Sequence, residues 1–112
     1  MNNEAIVKIV KIADTYGYDL QSRQLIEEMA ELTVAINKYW RKYLKCGNFD
    51  MFDTLKGSSE EDAIIEEIAD VEICLSQLKF LLGIRPYEIE QIIEQKLNRQ
   101  LERIGAKNGS CN

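Results

Sequence analysis

The chain has 112 residues, enough for one hydrophobic core and too few for a second independent one. Hydrophobic residues make up 46% of it and Pro occurs once, a composition that excludes a disordered chain. Nineteen acids against fourteen bases, net charge -5 without a basic stripe, argue against nucleic-acid polymers and anionic membranes as partners, and the absence of His leaves chemistry to carboxylates, Lys, Arg, Tyr or Cys.

The opening MNNEAIVKIVKIADTYG lacks the apolar core and cleavage pattern of a signal peptide, and no apolar run is long enough to span a bilayer. With three cysteines, Cys46, Cys74 and Cys111, at no metal-ligand spacing, the expected setting is the reducing cytoplasm. Ile6, Ile9, Val10 and Ala13 stand at helical spacing and predict a first helix over residues 3 to 15. TYGYD interrupts the pattern, and Asp19 or Ser22 is placed to cap a second helix reaching about Cys46, with Leu25, Met29, Leu32, Ile36, Tyr39, Trp40 and Tyr43 as its core stripe.

The next segment, CGNFDMFDTLKGSS, reads as a loop. Its Phe49, Met51 and Phe52 could anchor the loop or cover a base. Ser58 with Glu61, and Ser59 with Asp62, resemble capping boxes that open a third helix; it turns Ile64, Ile68, Val71, Leu75, Leu78 and Leu82 inward and stops at Gly83. Pro86 suits the first turn of a fourth helix running through Ile89, Ile92, Ile93, Leu97 and Leu101 to about Ile104. These four helices predict an all-α four-helix bundle, a single domain over residues 1–105 with a frayed tail at 106–112.

EEMAEL at 27–32 returns as EEIADV at 66–71. At about 100° per residue, with Leu25 and Ile64 set at zero, Glu28 and Glu67 fall at one angle and Glu31 and Asp70 at another, each pair flanking the apolar stripe. Glu27 and Glu66 lie further toward solvent, and small Ala35 and Cys74 follow one turn on. Packed helices with axes roughly 8 to 10 Å apart would bring these four carboxylates together. Solvated helix faces also carry acidic pairs, so a metal site and a charged surface both fit the pattern. If a cation is held, all-oxygen ligation selects Mg2+ or Mn2+.

The paired motifs EEMAE (27–31) and EEIAD (66–70) resemble those of the MazG-like all-α nucleoside triphosphate pyrophosphohydrolases, over roughly residues 20 to 104. The resemblance implies the fold of that family, a dimer or tetramer, and Mg2+-dependent hydrolysis of an NTP or dNTP to the monophosphate and pyrophosphate. Glu28 and Glu31 take the metal-ligand positions of the first motif, Glu67 and Asp70 those of the second. The thirty-five residues between Glu31 and Glu67 exceed the spacing usual in compact members.

Within that chemistry the outer Glu27 is placed to orient or deprotonate water, with Glu66 as its counterpart. Lys38 and Lys42 lie on the Glu31 side of their helix, and Lys96, Arg99 and Arg103 share one face of the last helix. These five are candidate phosphate ligands, although the three on the last helix also simply suit its dipole and stay solvated. Two other functions fit the same sequence: a helical dimerisation or adaptor module without catalysis, and a phosphoribosyl-ATP pyrophosphohydrolase.

Overall fold

Three helices and no strand make up the described residues of a computed structural model, which are 1–46 and 56–110. α1 spans Asn3–Cys46, α2 Ser59–Leu81 and α3 Pro86–Ser110. The expected four-helix bundle is therefore corrected to an all-α arrangement with three helices among the described residues. The reason lies in TYGYD: only Gly17 leaves helical geometry there, at φ 81° and ψ 175°. A single residue in that region, open almost only to glycine, kinks a helix but supplies no loop in which the chain could reverse. Ser22 does not cap a new helix; its Oγ donates back to the Asp19 carbonyl at 3.0 Å. No helix among the described residues is long and apolar enough to cross a membrane.

Local chemistry accounts for the other helix ends. Asn2 Oδ1 accepts from the Ala5 amide at 2.8 Å and opens α1. Ser58 caps α2, its Oγ accepting from the Glu61 amide at 3.2 Å, and Glu60, Glu61 and Asp62 place negative charge on the first turn. Pro86 begins α3, where Glu88 Oε2 reaches back to accept from the Arg85 amide at 2.7 Å. α3 continues beyond Ile104 to Ser110.

The chain divides into two compact units, Met1–Leu82 and Gly83–Asn112. In the first, α1 and α2 pack antiparallel, tied by a Gln21–Gln77 hydrogen bond toward one end and a Lys42–Glu60 ion pair of 2.9 Å toward the other. Their seam follows alternating steps of four and three. On α1 it takes Gln21, Leu25, Glu28, Leu32, Ala35 and Tyr39; on α2 it takes Ala63, Glu67, Asp70, Cys74, Gln77 and Leu81, and all twelve are buried or half-buried. This is the spacing of coiled-coil packing.

The seam departs from the expected apolar stripes. Leu25 is buried and Leu32, Tyr39, Tyr43, Ile64, Val71 and Leu78 are half-buried, but Met29, Ile36, Trp40, Ile68, Leu75 and Leu82 stay exposed. The acids expected beside the seam lie in it instead. In the second unit, α3 has Ile89 half-buried and Ile92, Ile93, Leu97, Leu101 and Ile104 exposed.

Candidate metal centre

The seam places Glu28 of α1 against Glu67 and Asp70 of α2, with Glu31 one turn along from Glu28. One carboxylate oxygen from each of Glu28, Glu31 and Glu67 lies within 4.8 Å of the other two. Asp70 joins Glu28 along the wall of an adjoining groove. Gln24 Nε2 donates to Glu28 Oε1 at 2.7 Å, whereas Oε2 of Glu28 and Oε2 of Glu67 are buried without a hydrogen-bond partner. A buried acceptor left unpaired is destabilising unless a proton or cation meets it.

The electrostatics follow from this crowding. Burial, and then the negative charge of Glu31, push the Glu67 carboxyl up to about 7 from an ordinary 4.5. Glu31 is raised as well, chiefly by the charge of Glu28. Cys74 beneath them is raised by burial and by the nearby charges of Glu28 and Asp70, so its thiol stays protonated and serves as a small packing group, not a nucleophile.

One groove adjoins the acids on the Lys38 side, and a second shares Lys38 with it. Glu27, Glu31, Ala35, Lys38 and Glu67 are among the residues lining one of about 370 Å3. The next, of about 420 Å3, is walled by Lys38, Arg41, Lys42, Lys45 and Glu60. Lys42 is held by Glu60, whose carboxyl it lowers through their hydrogen bond. Glu27 and Glu66 are exposed on the outer turns. Trp40 and Tyr43 stack on each other at 5.6 Å between ring centroids.

Lys96, Arg99 and Arg103 are exposed on α3, in the second unit. Phe49, Met51, Phe52 and Cys111 lie outside the described residues, as does the side chain of Cys46. Arg41 and Lys45 enter the basic groove without having been singled out by composition. Their i, i+3/i+4, i+7 relation to Lys38 is the signal that marks them. Gln21 and Gln77 are marked only by occupying seam positions where an aliphatic residue would be ordinary.

An oxygen-only set carrying several negative charges, two of its oxygens buried and unpaired, fits a hard divalent cation such as Mg2+ or Mn2+. Softer metals would call for His or thiolate ligands, and the chain has no His while Cys74 is protonated. No protein-family model, curated protein or solved structure matches the chain.

Proposed function

We propose that the chain is a Mg2+-dependent nucleoside triphosphate pyrophosphohydrolase of the MazG-like class, acting on an NTP or dNTP. The observation that carries the reading is the Glu28–Glu31–Glu67 cluster, two of whose oxygens are buried and unpaired, beside a groove whose Lys38 also walls a second groove with Arg41, Lys42 and Lys45. The paired EEMAE and EEIAD motifs, with their resemblance to that class, add to it.

Glu28, Glu31, Glu67 and Asp70 would hold the ion. Mg2+, or Mn2+, bound there supplies neutralising charge to the phosphoryl oxygens and a water of lowered pKa. The protein does the rest by position. Lys38, Arg41 and Lys42 draw the β- and γ-phosphates along α1, which orients the α-phosphorus over the acids. Glu27 takes the proton of the attacking water; the water oxygen bonds the α-phosphorus, the bond from that phosphorus to the αβ-bridging oxygen breaks, and pyrophosphate leaves toward the lysines.

The reading carries two corollaries. The enzyme works as a homodimer or homotetramer, since Met29, Ile36 and Trp40 otherwise stay exposed to water, and it works in the cytoplasm, where nucleotides and Mg2+ meet. The test is a pyrophosphate-release screen over NTPs, dNTPs and phosphoribosyl-ATP, with and without Mg2+. Mg2+-dependent monophosphate and pyrophosphate from a nucleotide is the expected result. Selective cleavage of phosphoribosyl-ATP would reassign the substrate, and no product from any of them would leave a non-catalytic helical module.

A further inference from the structure

We infer that the groove on the Gln21 side of the acid cluster receives the nucleobase, and that the Gln21 and Gln77 amides read its hydrogen-bonding edge. The inference rests on the hydrolase reading for the phosphate end of the ligand. It rests on separate observations for the base end.

The groove has a volume of about 510 Å3, within the range of small-molecule sites. Ile12, Tyr16 and Ile73 supply apolar wall, and Glu28 stands at the end that leads to the acids. Tyr16 directly precedes the Gly17 kink, and the groove takes residues from both sides of that kink. An exposed tyrosine on one wall offers a flat face on which a base can stack.

Gln77 is only 2% exposed and Gln21 8%, so two amides are buried where the seam would ordinarily take aliphatic residues. Their mutual hydrogen bond, Gln21 Nε2 to Gln77 Oε1, uses one donor of the first and one acceptor site of the second. By the valence of the amide, Gln21 Oε1 remains as acceptor and the Gln77 NH2 as donor. A neighbouring acceptor and donor in fixed order tell bases apart, because adenine and cytosine present an exocyclic NH2 beside a ring acceptor whereas guanine and uracil present a carbonyl beside a ring N–H. Gln21 and Glu28 are seven residues apart, about 10 Å along a helix, which leaves room for the sugar between a base on the amides and an α-phosphate at the acids.

A purely structural role, in which the pair fixes the register of α1 against α2, would make the same hydrogen bond. The two roles differ in what they do to selectivity. A fault in register lowers activity on all nucleotides together and cancels in a ratio between bases; a lost reading contact changes the ratio.

Two measurements on the full chain test the inference. The first is kcat/KM for pyrophosphate release across the four NTPs and four dNTPs, for the wild type, Gln77→Leu and Tyr16→Ala. The second is saturation-transfer NMR with the free nucleosides adenosine, guanosine, cytidine and uridine in EDTA, which needs neither metal nor hydrolysis. The wild type should favour some bases, and Gln77→Leu should shrink the best-to-worst ratio by about tenfold or more. Nucleoside binding should weaken in both variants. Tyr16→Ala alters an exposed side chain and keeps the test available if Gln77→Leu fails to fold. Nucleoside binding that is lost in the variants, without pyrophosphate release from any triphosphate, would sustain the pocket and overturn the hydrolase. Pyrophosphate release with an unchanged base ranking in folded Gln77→Leu, or nucleoside signals unchanged by Tyr16→Ala, would overturn the pocket and leave the hydrolase standing.

Discussion

Glu67 concentrates the residue-scale consequences. Its carboxyl is raised from 4.5 to about 7, so the metal-free folded state binds its proton more tightly than the unfolded chain does. The stability linked to that proton is fully present below about pH 4.5 and is lost as pH rises through about 7. In EDTA the melting temperature should therefore fall between about pH 5 and about pH 8, and Mg2+ should raise it more at the higher pH, where the ligands are ionised. Thermal unfolding followed by circular dichroism checks this, and an equal Mg2+ effect at both pH values would count against a carboxylate site. Activity gives a second handle. Glu31→Gln, Glu67→Gln and Asp70→Asn should each lower kcat/KM by at least about 10²-fold if they act as proposed, because each removes the charge of a proposed ligand at nearly constant volume. Glu27→Gln should lower kcat while leaving the Mg2+ dependence in place, since its proposed task is the water.

At the scale of the element, Gly17 is the most exposed to test. A Cβ there would meet nothing within 4 Å, so the only obstacle to a larger residue is the backbone at φ 81°. Gly17→Ala should destabilise the fold by about 1–3 kcal/mol, read as a lower urea midpoint. An unchanged midpoint would mean that α1 straightens without loss. The same element explains what the sequence makes legible. The start of α2 can be read because Ser58 and Glu61 are local neighbours whose cap needs nothing distant, and Gly83, at φ 67°, stops α2 for an equally local reason. TYGYD carries a glycine whether it ends a helix or bends one, and only the packing of residues far apart in sequence decides between them. The same holds for the faces. The wheel places Glu28 and Glu67 at equivalent angles correctly, but periodicity cannot say which of two adjacent stripes a partner helix covers, and α2 covers the one holding the acids.

For the whole molecule the open question is what meets the uncovered stripe. Among the described residues of 1–82, the buried hydrophobic side chains are Ile9, Ala13, Leu25, Ala35 and Cys74, while Met29, Ile36, Ile68, Leu75 and Trp40, the last 54% exposed, face outward. A chain that is 46% hydrophobic and leaves these side chains in water has a strong drive to associate. Sedimentation at micromolar concentration should give a mass of at least twice the monomer, with a melting temperature that rises with concentration. Trp40→Glu should weaken that association by about tenfold or more. A monomer at all concentrations would show that the uncovered stripe is tolerated as it stands.

A seam of two packed helices is ordinarily where a protein engineer looks for stability, and here it holds Glu28, Glu67 and Asp70. Leucine at such a position would remove mutual repulsion and add apolar contact, so Glu67→Leu should melt higher than the wild type in EDTA while losing activity on every nucleotide. A library selected for heat resistance alone would accordingly drift toward an aliphatic seam and lose the proposed metal site along the way. On the proposed reading the seam acids hold a cation at a cost in robustness, so a variant that regains robustness at these positions should no longer be stabilised by Mg2+.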